Sequence, residues 1–217
     1  MTASFGPQWW EQHYREHAPH HHGSPGPQLV AEVAALPAGT ALDAGCGRGA
    51  DAVWLARQGW RVTAVDVSPT AVRAAEAAAA AEAGGAAEAG GAAEAAEAGA
   101  GDLAPRIEWV VADLTTWQPP RQYDLVVSQY VHPAVPFAEF VARLAAAVTP
   151  GGTLLVVGHD HADAHSAAHA PQPASIGLDT VTGALPPDGW DVVVAESRPG
   201  WTHHQDLVVK ARRRPAP

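Results

Sequence analysis

The chain has a single cysteine, Cys46, in 217 residues, so no internal disulfide is available. Cross-linked extracellular scaffolds are thereby excluded. Basic residues are scarce: 13 Lys and Arg stand against 23 Asp and Glu, a formal charge of −10. That balance repels phosphate backbones and offers no broad basic face to nucleic acid or anionic lipid. Long apolar runs are missing as well. The stretch from Val141 to Val148 is broken by Arg143 and falls far short of the roughly 18 apolar residues that a membrane span needs. The start, MTASFGPQWWEQ, has neither a basic n-region nor an apolar h-region. The expectation is a cytoplasmic protein with no nucleic-acid and no membrane partner. Hydrophobic residues make up 47%, within the globular range, but alanine supplies much of this and buries little area per residue. The core must rest on Val, Leu and the eight Trp.

At roughly 100–200 residues per domain, the length argues for one domain over 1–217, with about 70% of the unfolded chain's surface buried. Short β-branched runs alternate with longer amphipathic ones, the pattern of parallel βαβ units, so the class is α/β. Strands are expected near Thr40 to Ala44, Arg61 to Asp66, Ile107 to Ala112, Tyr123 to Ser128, Thr153 to Gly158, Trp190 to Glu196 and Gln205 to Ala211. Helices are expected near Gln28 to Leu36, Ala50 to Gln58, Pro69 to Ala83 and Ala134 to Val148. Gly59 suits a helix C-terminus, while Ser68-Pro69 offers an N-cap followed by proline at the first helical position. Residues 1–38 carry Trp9, Trp10 and Tyr14 and then a His-, Pro- and Gly-rich stretch, read as a helix and loop over the sheet's edge. Residues 77–101 are low-complexity Ala, Glu and Gly, with Glu82, Glu88 and Glu94 recurring every six residues. Six is not the period of a packed element, and the Gly-Gly pairs oppose helix at roughly 1 kcal/mol per glycine. A frayed helical extension followed by a mobile loop is expected there.

The most specific segment is Ala41 to Gly49, ALDAGCGRG, directly after an expected strand and leading into an expected helix. Gly45, Gly47 and Gly49 let the backbone turn tightly and approach a ligand without an intervening Cβ. The second strand ends in Val65-Asp66, where a carboxylate can accept two hydrogen bonds from ribose hydroxyls. The third ends in Ala112-Asp113-Leu114, which puts another acid on the same sheet edge, within reach of an adenine amino group. Strand, glycine turn, helix, strand and acid follow in the order of an adenosine site.

These residues resemble the class I S-adenosylmethionine-dependent methyltransferases, whose first motif is an acid, a small residue and Gly-x-Gly-x-Gly. The likeness covers nearly the whole chain: ALDAGCGRG as motif I, VTAVDVS as the ribose-binding motif II, WVVADLTTW as motif III, YDLVVSQY as the fourth strand and VTPGGTLLVVG as the turn and fifth strand. The segment GRGADAVWLARQGWRVTAVDVS and the tryptophan-rich start are most similar to small methyltransferases of the tellurite-resistance and thiopurine type. The resemblance implies a doubly wound, seven-stranded, mostly parallel sheet ordered 3-2-1-4-5-7-6, with strand 7 antiparallel and helices on both faces. It also implies S-adenosylmethionine as cofactor, S-adenosylhomocysteine as product and a small-molecule acceptor, on a monomer or homodimer. Thiol-type sulfur of a secondary metabolite or xenobiotic is the expected acceptor, with N- or O-methylation of a natural product as the alternative. The rival is a nicotinamide-dinucleotide oxidoreductase, but its fingerprint is Gly-x-Gly-x-x-Gly with a pyrophosphate at the helix N-terminus. Asp43, just before the turn, would repel pyrophosphate yet attract the cationic amino group of a methionine tail, directly or through water.

The candidate cofactor contacts are Asp43, Gly45, Gly47, Asp66, Val67, Asp113, Leu114, Ser128 and Gln129. Trp10, Tyr14, Tyr130, His132 and His159 are candidate substrate contacts, and His132, His159 and Tyr14 the candidate catalytic groups. His132 and His159 each follow a strand at the ligand-binding edge, where a neutral imidazole can accept a proton or orient the nucleophile. Trp10 and Tyr14 are i, i+4 neighbours that either close a lid or seal the domain's edge. Cys46 reads as packing. His161, His165 and His169 fall at i, i+4, i+8 spacing, with Asp160 and Asp163 beside them. Either one helical face there holds zinc or nickel, or the segment is a solvated loop ended by Pro171 and Pro173. No metal is assigned. A non-catalytic cofactor-binding protein, or a His-rich metal-binding one, is the alternative of a different class.

Overall fold

Short apolar runs bounded by turn residues fold as strands, and most of the amphipathic and alanine-rich stretches between them as helices. The computed structural model describes residues 5–17, 23–88, 104–160, 176–200 and 205–215. In chain order the elements are α1 (Pro7–Glu16), α2 (Pro27–Val33), β1 (Thr40–Ala44), α3 (Ala50–Arg57), β2 (Arg61–Asp66), α4 (Pro69–Glu88), a 3-10 turn (Ala104–Arg106) and β3 (Ile107–Val111). There follow β4 (Tyr123–Gln129), α5 (Phe137–Ala146), β5 (Val148–His159), α6 (Leu178–Gly183), β6 (Trp190–Pro199) and β7 (Gln205–Arg213).

The sheet has seven strands in the order β3-β2-β1-β4-β5-β7-β6, as expected. β1 to β5 pair in parallel, and β7 runs antiparallel to both β5 and β6. The order reverses between β1 and β4, and a crevice opens there at the carboxyl ends of the strands. Both faces of the sheet are covered, so the central strands are apolar on both sides. Within β4, Val126 packs with Phe140, Val141 and Leu144 of α5, whereas its neighbours Leu125 and Val127 pack with Leu29 of α2 and Leu55 of α3. This is the two-residue alternation of a strand. No helix among the described residues is long and apolar enough to cross a membrane.

Both expected punctuation marks are present. Gly59 adopts φ +93° after α3, and the Ser68 hydroxyl accepts the Ala71 N–H at 3.1 Å to cap α4. Several boundaries differ from expectation. α4 runs on to Glu88, through Gly84 and Gly85, because the alanines around them favour helix enough to carry it. The rest of the low-complexity segment lies outside the described residues. α5 begins at Phe137 rather than Ala134, since Pro136 stands at its N-cap with its carbonyl accepting the Phe140 N–H at 3.1 Å. β5 starts at Val148, because Val148 already pairs with Tyr123 before the ladder shifts register to Leu125 and Thr153. α2 stops at Val33, short of Leu36, and α6 had no counterpart among the expected helices.

Candidate active site

At the end of β1 the chain leaves the sheet through Gly45, Gly47 and Gly49, whose φ values of +91°, +51° and +82° lie in the left-handed region. Close approach also demands glycine at all three, a Cβ on Gly49 meeting Trp109 at 2.6 Å and the Ala75 Cβ at 2.8 Å. A Cβ on Gly45 would overlap Val131, and one on Gly47 would sit 2.8 Å from the Tyr14 hydroxyl oxygen. The turn is splinted by Asp66 at the end of β2. The Gly47 N–H donates to its Oδ2 and the Ser68 N–H to its Oδ1, both at 2.9 Å. Each carboxylate oxygen keeps further lone-pair capacity for a ligand. Burial raises the proton affinity of Asp66, against the backbone donors of Ser68, Gly47 and Val67 that hold it down.

Asp43, on β1, is 2% exposed, and its Oδ2 has no hydrogen-bond partner. Burial, followed by the charges of Asp51 and Asp66, lifts its pKa well above the usual carboxylate range. Asp51 went unassigned from the sequence. An acid in the first turn of a helix ordinarily reads as a partner of the helix dipole. In the structure it is half-buried and accepts the Gly26 N–H at 2.7 Å and the Gln129 amide, joining α3 to the end of β4. Two buried carboxylates and one half-buried one thus surround the glycine turn. Such a cluster favours a cation.

These groups border a cavity of about 670 Å³, a size typical of small-molecule sites. Gly45, Gly47, Asp66, Val67, Asp113, Leu114 and Gln129 line it, together with Trp10, Tyr14, Tyr130, His132 and His159. Asp43 and Ser128 are buried behind the wall rather than on it, and Ser128 faces Val156 across the β4–β5 ladder. Asp113 Oδ1 accepts the backbone N–H and the hydroxyl of Thr115, at 2.9 and 2.7 Å, and so also fixes the turn after β3.

α1 buries none of its own residues, yet Trp10 and Tyr14 face the cavity with ring centroids 6.2 Å apart. It is fastened at two points that the sequence does not advertise. Glu11 accepts the Ser68 and Thr70 hydroxyls, at 2.6 and 2.7 Å, and the Thr70 N–H at 3.1 Å, at the N-terminus of α4. These bonds, led by that from Ser68, lower its pKa to about 2. Arg48 Nη2 donates to the carbonyls of Tyr14 and His17, at 3.0 and 2.8 Å. Burial, and then the charge of Asp66, keep the Tyr14 phenol protonated.

Tyr130 is the one described non-glycine residue with left-handed backbone, at φ +55°. Its hydroxyl donates to Asp206 Oδ2 of β7 at 2.8 Å, and Gln28 reaches the same oxygen at 3.4 Å. The hydroxyl therefore points at β7, while the ring lies 4.8 Å from that of His159. His132 stacks at 6.2 Å and 15° on Trp10, and its ring is 5.6 Å from Phe5. Cys46 is buried, and burial raises its thiol pKa well above the usual value, in keeping with packing. His161, His165 and His169 lie outside the described residues.

A family model described as a methyltransferase domain matches residues 42–156, which hold the glycine turn, Asp66, Asp113 and the β4 loop. A trans-aconitate 2-methyltransferase of Streptomyces avermitilis is 33% identical over 156 residues, 68% of this chain. The matched part is 49% of that relative, so the chain spans about half its length. Among solved structures, one from work on the conversion of a disulfide bond into a thioacetal group during echinomycin biosynthesis superposes with a TM-score of 0.66 at 24% identity, over 96% of this chain and 93% of the other. The glycopeptide N-methyltransferase MtfA, complexed with S-adenosyl-L-methionine, superposes with a TM-score of 0.60 at 18% identity, over 88% of each chain. At these identities the structural likeness shows the fold, and the family match adds the motif region. The chain belongs to the S-adenosylmethionine-dependent methyltransferases of the Rossmann-like class I fold.

Proposed function

We propose that this chain transfers the methyl group of S-adenosylmethionine to a small-molecule acceptor, a thiol-type sulfur being the favoured nucleophile and S-adenosylhomocysteine the product. The observation that carries this reading is the buried, partnerless Asp43 Oδ2 beside the glycine turn and Asp66. A carboxylate there disfavours a pyrophosphate and favours the ammonium of a methionine tail, whose charge in turn lowers the carboxylate's proton affinity. The donor set fits the whole cofactor. Asp66 would take the ribose hydroxyls, Asp113 and Leu114 the adenine, and Gln129, whose Oε1 has no hydrogen-bond partner, the amino-acid tail. Once bound, the cofactor supplies a methyl group already activated by the sulfonium.

The remaining work falls to the chain's own residues. Alignment is worth up to roughly 7–11 kcal/mol in favourable cases, and α1, clasped by Glu11 and Arg48, keeps water from the reacting centre. The Tyr14 phenol, held protonated, is a hydrogen-bond donor for a ligand and not a base. A thiol ionises at about 8.5 when unperturbed and needs no strong base. For a nitrogen or oxygen acceptor, His132 and His159, which both line the cavity, would take the proton. Calorimetry with S-adenosylmethionine, followed by mass spectrometry of a panel of thiols, phenols and amines, tests the proposal. Methyl gain on thiols supports it, and methyl gain confined to phenols or amines moves the acceptor atom. Absence of cofactor binding together with heat from zinc or nickel would replace it with a metal-binding role.

A further inference from the structure

Building on the methyltransferase reading, we propose that the acceptor is an uncharged planar aromatic molecule, not a polycarboxylate, held against the rings of α1 and the loop after β4. Two independent features point to this. The first is the wall itself. Phe5, Trp10 and Tyr14 come from the α1 segment, His132 from the loop and Phe140 from α5, and all five line one cavity. Trp10 and His132 are within 15° of parallel, and the Phe5 ring is tilted 34° from His132, so neighbouring rings present broadly similar faces. α1 contributes no buried residue to the core, and the placement of its aromatic side chains is not explained by core packing. Flat rings are matched by offset stacking or edge-to-face contact, which a saturated ring cannot make.

The second feature is charge. Arg48 is the sole Arg or Lys among the described residues that line the cavity. Its Nη2 is committed to the carbonyls of Tyr14 and His17, and its guanidinium carbon lies 5.7 Å from the centre of the Tyr14 ring. Against this one guanidinium, Asp51, Asp66 and Asp113 line the same cavity, with Asp43 buried behind it. With Asp66 and Asp113 turned to the cofactor, an acceptor bearing several carboxylates would find no Arg or Lys but the already engaged Arg48 to pair with them, and so little cation to bind it. Here the chain departs from its relative named for trans-aconitate.

Three probes separate the features: 2-naphthol, its saturated counterpart decahydro-2-naphthol, and 2-naphthoate, each titrated calorimetrically into the protein saturated with S-adenosylhomocysteine. The titrations are run at pH 8, above the usual imidazole pKa of about 6.5. We expect 2-naphthol to bind about fivefold or more tightly than either of the others, a gap within the range of one good aromatic pair. Trp10→Ala should bring 2-naphthol down to the level of the saturated alcohol, and Trp10→Phe should keep most of the difference. Equal binding of the saturated alcohol would overturn the aromatic assignment, and equal or tighter binding of 2-naphthoate would overturn the exclusion of anions. Loss of S-adenosylhomocysteine binding in Trp10→Ala would place that ring in the cofactor site and sink the proposal. Failure of the unaltered protein to bind S-adenosylhomocysteine would instead count against the methyltransferase reading, since the ranking of the probes can still be measured without it.

Discussion

Replacing Asp66 strikes the turn and the ligand together, and the two losses can be separated. In Asp66→Ala the N–H groups of Gly47 and Ser68 lose their acceptor. An unsatisfied buried donor costs about 1–3 kcal/mol, so about 2–6 kcal/mol is expected for the pair, less whatever is regained by removing a carboxylate from a site 6% exposed. The cofactor loses charge-assisted hydrogen bonds worth about 1.5–3 kcal/mol, or roughly ten- to 150-fold in affinity. Asp66→Asn should fall between wild type and Asp66→Ala in stability, because its amide keeps one acceptor oxygen but turns an N–H2 towards one of the two backbone donors. Urea midpoints measure the first loss, and calorimetry with S-adenosylhomocysteine the second. The direction of the pKa shift adds a sign. Burial raises Asp66 above its ordinary value of 3.8, so wild-type stability from this group is present below that pH and is lost as pH rises through the raised value. The stability deficit of Asp66→Asn, measured without ligand, should therefore be smaller at pH 8 than at pH 4. Wild-type affinity and an unchanged midpoint in Asp66→Ala would refute the placement of this carboxylate at the centre of the site.

Asp43→Asn removes a buried charge that lacks a partner at Oδ2, so it should raise the melting temperature at pH 8, with the gain vanishing towards pH 4, while weakening cofactor binding. Glu11 has its pKa lowered from 4.5 to about 2 by its bonds to Ser68 and Thr70, so the clasp on α1 is fully present above 4.5 and is lost as pH falls towards 2. Tryptophan emission from Trp9 and Trp10 should report a transition in that window, and Glu11→Ala should abolish it; a transition that survives the substitution would assign it to other groups. His132→Ala should lower kcat about 10²–10⁴-fold with cofactor affinity unchanged if the imidazole takes a proton. If His132 only positions the acceptor, KM should rise more than kcat falls, and wild-type values of both would pass the role to His159.

The parts of the site legible in the sequence are those carried by neighbouring residues. Gly45, Gly47 and Gly49 follow β1 within five residues, and only glycine readily takes the positive φ observed at all three. Asp66 and Asp113 were readable because a strand's end is a local event, and the sheet's parallel register brings those ends to one edge. The strand order came from resemblance rather than from any residue pattern, and the structure has that order. What lay beyond sequence was decided by contacts between distant segments. Asp51 joins Gly26 to Gln129, Glu11 crosses 57 residues to Ser68, and the Tyr130 hydroxyl reaches Asp206, 76 residues away. Nothing near Glu11 in the chain distinguishes it from an exposed helical acid, and a tyrosine after a strand gives no sign of which way its hydroxyl turns. Those partners meet only because the sheet order sets β7 beside β5, and because Gly26, just before α2, comes up against Asp51 at the start of α3. Periodicity reports which face of an element is buried, whereas a long-range hydrogen bond depends on which other element arrives there, and that is settled by packing of the whole chain.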